Sequence, residues 1–187
     1  MEVRDQGRIR SIAAGGFRIG SAEGRATRMP GAQLVTRKVG SDQTGGAYSL
    51  FEVTVGVEGG EGPHVQHRED ECFYVLEGRF GFAVEGGQIE AGPGSLVYVP
   101  KGNLHAFENT GNTTGRMLAS QTPGGIYEGF VEEVGEPATG EVVPPAVEEV
   151  PDAERLIIIG AEYGIEVELP SSGEAKEVIE QGHYRDV

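Results

Sequence analysis

The sequence predicts an all-β fold, an antiparallel sandwich or barrel of short strands. Stretches rich in β-branched and aromatic residues recur about every 8 to 12 residues, and Gly- and Pro-containing turns separate them. No strand–helix alternation occurs before residue 120, which disfavours a Rossmann-type architecture. The 31 glycines and 10 prolines follow no collagen-like period, so they fit tight turns between strands better than disorder.

The predicted strands follow one another closely through the first two thirds of the chain. Residues 1–46 carry short apolar stretches between glycines and predict a meander or arm of short strands. The first long strand is predicted in AYSLFEVTVGV (47–57), which is rich in β-branched and aromatic side chains. Further strands are predicted near 71–76, 79–85, 87–90, 95–99, 104–109 and 115–121.

The character of the chain changes after these strands. The segment IYEGFVEEVG (126–135) has apolar residues at helical spacing and ends in glycine, which predicts a short helix. A Pro-rich acidic connector follows, and PDAERLIIIGAEYG (151–164) predicts a second helix. We expect one domain over 1–187, made of N-terminal strands (1–46), a core barrel (47–121) and a C-terminal helical extension and tail (122–187).

Charge excludes two classes of partner. The formal net charge is −15, from 15 Lys and Arg against 30 Asp and Glu, so phosphate backbones and anionic membranes are repelled. The N-terminus has no apolar signal segment, and the longest apolar run, LIII, is too short to span a bilayer. Cys72 is the single cysteine, which fits a reducing compartment. We therefore expect a cytoplasmic protein without nucleic-acid or membrane partners.

The segment GPHVQHREDE (62–71) concentrates candidate metal ligands. In an extended strand His64 and Gln66 share one face, whereas His67 points to the other and is expected in solvent. Glu71 comes after a short turn, so one hairpin can direct His64, Gln66 and Glu71 to a common point. A further imidazole, His105, lies in the apolar strand LHAF, where it is either a hydrogen-bonded core residue or a ligand.

The spacing of these residues resembles the two cupin motifs, G(x)5HxH(x)3–4E(x)6G and G(x)5PxG(x)2H(x)3N. The second motif is complete, with Gly94, Pro100, Gly102, His105 and Asn109 at the required intervals. The first matches at His64, Glu71 and Gly78 and departs at one ligand position, where Gln66 replaces a histidine. The resemblance covers about residues 47–121 and implies a cupin-type antiparallel jelly-roll β-barrel with short C-terminal helices.

Within the cupins, the layout is similar to the single-domain bacterial quercetin 2,3-dioxygenase-like proteins. The flanking segments SDQTGGAYSLFEVTV, TPGGIYEGFVEEVGEPA and EYGIEVELP carry this second resemblance. It implies a homodimeric dioxygenase that uses O2 and acts on a flavonol-like or other hydroxylated aromatic small molecule. It also implies one divalent transition metal (Fe, Ni, Co, Mn, Cu or Zn) held by His64, Glu71 and His105, with Glu71 as the catalytic base.

Gln66 leaves three outcomes open, because a neutral amide oxygen is a poorer donor than imidazole. It can act as a weak fourth metal ligand. It can instead withdraw and leave two histidines and one carboxylate, the donor set of many non-haem iron oxygenases. Finally, the metal site can be degenerate and the barrel a small-molecule binding pocket. A metal-assisted cyclase or isomerase is the alternative enzyme class, since fold alone does not set function.

The remaining candidates have structural interpretations. An apolar substrate pocket is predicted from Phe51, Phe73, Tyr98 and Phe107. Glu69 and Asp70 are interpreted as turn residues in water, and Cys72 as a residue that points away from the metal. His183 lies in the polar tail and is expected to be solvated.

Overall fold

The computed structural model describes residues 16–21, 23–138 and 153–168. These residues form two antiparallel sheets, one of seven strands in the order β11-β1-β2-β3-β10-β5-β8 and one of five in the order β12-β4-β9-β6-β7. The strands are β1 (Arg25–Met29), β2 (Gln33–Val39), β3 (Ser49–Val55), β4 (Gly60–Gln66), β5 (Asp70–Glu77), β6 (Phe80–Val84), β7 (Gly87–Ala91), β8 (Leu96–Val99), β9 (Leu104–Asn109), β10 (Gly115–Thr122), β11 (Glu136–Pro137) and β12 (Ile165–Val167). The helices are α1 (Ser41–Thr44), α2 (Ile126–Val134) and α3 (Ala153–Tyr163).

This architecture confirms the predicted antiparallel jelly roll. Strands β3 and β5 to β10 lie where the sequence predicts them, with ends that differ by at most two residues. The helices α2 and α3 are also confirmed. The predicted N-terminal meander is present as β1 and β2, whereas residues 1–15 lie outside the described part of the chain.

Three strands are additional to the prediction. The Gly-rich start of β4 belongs to a strand that pairs with β9. The short strands β11 and β12 pair with β1 and β4, so the segment after the barrel joins an edge of each sheet and is not only helical. None of the described helices is long and apolar enough to cross a membrane.

The core between the sheets is largely aromatic. Phe73, Phe80, Phe82 and Phe107 are each at most 4% exposed, and neighbouring rings lie 5.3 to 6.4 Å apart between centroids. Each sits at an alternate position of its strand, so the period of two directs it inward. Burying each such ring contributes roughly 1.5–3 kcal/mol. This core holds the two sheets, and the polar residues between them, in a fixed relation.

A bulge changes which residues of β4 face the interior. Glu61 pairs with Phe107 and His64 pairs with His105, so three steps along β4 oppose two steps along β9. Because Phe107 and His105 both face inward, Glu61 and His64 also both face inward. Gly60 makes this possible, since a Cβ atom there would collide with the backbone carbonyl of Phe107.

Glu69, in the turn between β4 and β5, fixes the start of α2. Its two carboxylate oxygens accept the backbone N–H groups of Ile126 and Tyr127, each at 2.9 Å. The interpretation of Glu69 as a water-exposed turn residue was wrong. Glu69 is 1% exposed, and its carboxylate accepts hydrogen bonds from N–H groups that the helix terminus leaves unpaired. Asp70 instead accepts the backbone N–H of Lys101.

Glu69 is expected to make stability depend on pH. Burial raises its pKa from 4.5 to about 7, although the hydrogen bonds from Ile126 and Tyr127 lower it. The folded protein then holds a proton that the unfolded chain has released, so this contribution is present below pH 4.5 and is lost as pH rises through about 7. It amounts to about 3 kcal/mol.

The measurement is urea unfolding from pH 4.5 to 8 in the presence of a chelator. Glu69→Gln is expected to flatten the decline in the free energy of unfolding, whereas Glu90→Gln, at an exposed position of β7, retains it. Equal slopes in wild type and Glu69→Gln would contradict this assignment.

Candidate metal centre

Both sheets contribute to the candidate metal centre. His64 on β4 and His105 on β9 are cross-strand partners in the five-stranded sheet. Glu71, at the start of β5, faces them from the seven-stranded sheet. One donor atom of each residue lies within 4.8 Å of the other two, and all three residues are at most 2% exposed. The structure thus brings together the three residues that match the motifs.

Backbone carbonyls orient the two imidazoles in the same way. The Nδ1 atom of His64 lies 3.0 Å from the carbonyl of Gly62, and that of His105 lies 3.1 Å from the carbonyl of Asn103. A carbonyl oxygen only accepts hydrogen bonds, so Nδ1 carries the proton in both rings. Each neutral ring therefore directs the lone pair of Nε2 into the site, the arrangement that metal-ligating histidines adopt.

The donor atoms are too close to be stable without a positive charge. His105 Nε2 lies 2.7 Å from Glu71 Oε2, and His64 Nε2 lies 4.0 Å from the same oxygen. With Nδ1 protonated, these atoms present lone pairs to one another, so a proton or a metal ion must neutralise them. Burial by itself lowers the pKa of His105, but the carboxylate of Glu71, 2.7 Å away, favours a protonated ring, outweighs burial and raises it.

Unpaired buried atoms at the centre supply a direct test of fit. Among the described residues, the buried side-chain atoms that lack a hydrogen-bond partner are His64 Nε2, His105 Nε2, Glu71 Oε2, Gln121 Oε1 and both amide atoms of Gln66. Each unpaired group of this kind costs about 1–3 kcal/mol. Two imidazole nitrogens and a carboxylate oxygen that converge in this way fit a divalent transition metal.

Gln66 is 2% exposed and lies on the inward face of β4 with His64, as the alternation of the strand predicts. Neither atom of its amide has a hydrogen-bond partner among the described residues. Whether its amide contacts the metal therefore stays a prediction.

Gln121 is a residue of the centre that the sequence interpretation missed. It pairs with Glu71 across β10 and β5, is 1% exposed, and its Nε2 donates to Glu71 Oε1 at 3.4 Å. This contact leaves Glu71 Oε2 directed at the imidazoles. The available signal was alternation, because Gln121 follows Met117 and Ala119 at inward positions of β10.

Glu61 is a second missed residue. Its Oε1 lies 4.0 Å from His64 Nε2, and its side chain is 21% exposed, so it lies at the border between the centre and solvent. Burial raises the pKa of Glu61, although the charges of His64 and His105 lower it. Strand alternation alone places Glu61 on the face opposite to His64, and only the bulge reverses this.

Of the four residues predicted to line an apolar pocket, the structure buries three. Phe51, Phe73 and Phe107 are 1 to 4% exposed, and the ring of Phe73 lies 6.5 Å from that of His105. Tyr98 is a correction, since it is 55% exposed on the outer face of β8, between inward-facing Val97 and Val99. The predicted apolar substrate pocket can therefore be lined by the three phenylalanines but not by Tyr98.

The other candidates lie away from the centre. His67 is half exposed and its Nε2 lies 3.0 Å from Glu166 Oε2, which confirms that it faces solvent. Cys72 pairs with Tyr98 on the outer side of the sheet. A cavity of about 320 Å³ lies between the segment 16–21 and the seven-stranded sheet and shares no residue with the metal centre. His183 lies outside the described residues.

Comparisons with known proteins agree with this geometry. Residues 51–120, from β3 to β10, match a family model described as a cupin domain. Over 96 residues the chain is 29% identical to quercetin 2,3-dioxygenase of Bacillus subtilis (strain 168), an alignment that covers 49% of this chain and 28% of that protein. Over 75 residues it is 31% identical to an uncharacterized protein of Methanocaldococcus jannaschii, covering 40% of this chain and 60% of the relative.

Among solved structures, the polyketide cyclase RemF from Streptomyces resistomycificus is similar, with a TM-score of 0.51 and 26% identity. That match covers 58% of this chain and 80% of the cyclase. For the two curated relatives, from Bacillus subtilis and Methanocaldococcus jannaschii, the alignment with this chain covers less than two thirds of their own length.

Proposed function

Residues 51–120 place this chain in the cupin superfamily, and from that premise we propose that it is a metal-dependent dioxygenase of the quercetinase-like type. Its substrate would be a small hydroxylated aromatic molecule such as a flavonol, with O2 as the second substrate. The similarity to quercetin 2,3-dioxygenase supports the reaction class. The observation that carries the proposal is the convergence of two imidazole lone pairs and one carboxylate oxygen at a buried point.

The donor set suits this chemistry. His64, Glu71 and His105 would hold a divalent ion, which supplies Lewis acidity toward a substrate oxygen and coordination positions for O2 and substrate. Two histidines and one carboxylate leave such positions open, whereas a fully protein-ligated ion would not.

Glu71 would act as the base that accepts the proton of the substrate hydroxyl. The hydrogen bond from Gln121 fixes one of its oxygens, so the carboxylate keeps a constant direction toward the reacting group. Its 2% exposure excludes bulk water, and the transferred proton then stays within the site. The neighbouring phenylalanine Phe73 provides an apolar surface close to His105.

A metal-assisted cyclase is the second candidate function. The similarity to the polyketide cyclase RemF supports it, since that match spans 80% of the cyclase. Such a reaction also needs a Lewis acid and a base beside a phenolic or enolic substrate, but it consumes no oxygen.

Oxygen uptake with a panel of flavonols and other hydroxylated aromatics tests the proposal. We expect uptake that depends on added Fe, Ni, Co, Mn, Cu or Zn and falls at least 100-fold in Glu71→Gln, because the base is lost. Glu90→Gln, which changes an exposed carboxylate on β7, should retain the wild-type rate.

Metal-dependent conversion of a substrate without oxygen uptake would favour the cyclase. A metal-loaded protein that binds these compounds but converts none of them would favour a non-catalytic binding protein.

Two further expectations stay predictions. A homodimer is expected from the family resemblance, and the mass measured by light scattering in solution tests it. A cytoplasmic location is likewise expected, and fractionation of cells that express the protein tests it.

A further inference from the structure

We propose that Glu61 is a fourth metal ligand, so that two histidines and two carboxylates hold the ion. This inference rests on the proposed metal-dependent function, because it concerns the same ion. It assigns to Glu61, at a variable position of the first motif, the place of the imidazole that Gln66 replaces.

One distance brings Glu61 close to the site of the ion, although Glu61 lies outside the group of three donors that are within 4.8 Å of one another. Metal–ligand bonds to nitrogen and oxygen are about 2.1 Å, so two donors on one ion are at most about 4.2 Å apart. Glu61 Oε1 lies 4.0 Å from His64 Nε2, which is also the distance from that nitrogen to Glu71 Oε2. The two carboxylates therefore lie at equal distances from that nitrogen, and ion binding would draw Glu61 toward the other two donors.

The backbone directs Glu61 to this position. The bulge in β4 places it opposite the inward-facing Phe107, on the same side as His64. Glu108 provides a comparison, because it also lies three residues from a ligating histidine, His105. The strand β9 alternates regularly there, so Glu108 lies on the opposite side from His105 and Asn109. One carboxylate thus faces the centre and its counterpart faces away from it.

In the described part of the chain, no cationic side chain forms an ion pair with the Glu61 carboxylate. It accepts no hydrogen bond there, and its only close partner is the imidazole of His64, which is neutral in the metal-ligating form. Its oxygens are not among the buried atoms that lack a partner in the described residues, so they keep contact with solvent when no ion is bound. A divalent ion held by Glu61 and Glu71 would have its charge fully balanced.

Glu61 is also a stronger ligand than the alternative. The amide of Gln66 is neutral, whereas the carboxylate of Glu61 carries a full charge toward the ion. The resulting donor set of two nitrogens and two oxygens is harder than three imidazoles and one carboxylate. It therefore shifts preference toward Mn, Fe or Zn relative to copper.

Titration with Co²⁺ tests this proposal, read out by the visible d–d bands and by competition with a chelator. Glu61→Gln is expected to weaken Co²⁺ binding at least 10-fold, since replacing a group that only supports a metal ligand already costs 10- to 100-fold. It should also change the intensity of the bands, because the coordination changes. Gln66→Ala should weaken binding less than Glu61→Gln, and Glu108→Gln should match wild type.

Two results would overturn the proposal: Co²⁺ binding by Glu61→Gln within threefold of wild type with unchanged bands, or a larger loss in Gln66→Ala than in Glu61→Gln. His105→Ala distinguishes failure of this proposal from failure of the proposed metal centre. If that variant retains Co²⁺, the ion is not held at this centre, and both the centre and the role of Glu61 are contradicted. Thermal unfolding of the metal-free variants checks their fold. Should Glu61→Gln unfold, Glu61→Asp keeps the charge, shortens the side chain, and should show the same loss of affinity.

Discussion

Replacing His105 with alanine is expected to reduce bound metal from about one ion per chain to almost none. The imidazole supplies one of the three converging donors and lies 2.7 Å from Glu71 Oε2, so its loss removes a ligand and leaves the carboxylate without its neighbour. Elemental analysis after reloading and dialysis measures this effect. We expect affinity to fall at least 100-fold, since mutations of the supporting groups alone cost 10- to 100-fold.

His67→Ala is the matched control for this prediction. His67 lies three residues after His64 but faces solvent, with half of its side chain exposed, so its replacement should leave the metal content unchanged. Wild-type metal content in His105→Ala, or an equal loss in both variants, would contradict the assignment of the centre.

Replacing Asn109 with alanine is expected to lower the free energy of unfolding by about 3 to 5 kcal/mol. Asn109 is 1% exposed, and its Nδ2 donates to the carbonyls of Val55, Gly56 and Thr113 at 2.9 to 3.1 Å. Its Oδ1 accepts the N–H of Gly111 at 3.0 Å. The final asparagine of the second cupin motif therefore joins the ends of three strands and contacts no metal ligand.

Chemical unfolding of the metal-free protein measures this loss, and the melting temperature should fall by roughly 10 °C. Asn112→Ala, at an exposed position of the following loop, should stay within about 0.5 kcal/mol of wild type. A loss below 1 kcal/mol in Asn109→Ala would show that the network does not carry this stability.

Local patterns explain how much of the fold could be predicted from the sequence. Turn residues bound β5 to β10, and alternating apolar residues such as Phe80 and Phe82 mark their inward faces. The positions of His64, Glu71 and His105 follow from the same alternation combined with the motif spacing. These features depend on neighbours within a few residues, so a single sequence contains them.

The residues that sequence reasoning missed depend on contacts between distant segments. Glu61 faces inward only because a bulge in β4 is set by its register with β9, and no spacing in the sequence marks that bulge. Glu69 is buried because the first turn of α2, 57 residues later, supplies N–H donors for its carboxylate. Tyr98 was assigned to the interior by residue type, although its place in β8 directs it outward.

The metal centre itself is tested most directly by anomalous X-ray diffraction from crystals of the protein loaded with Co²⁺ or Mn²⁺. We expect one anomalous peak per chain, within about 2.0–2.3 Å of His64 Nε2, His105 Nε2 and a Glu71 carboxylate oxygen. A peak bonded to Glu61 as well would support the two-carboxylate set. An ordered crystal of the loaded protein with no peak between these side chains, or with the peak elsewhere, would contradict the account.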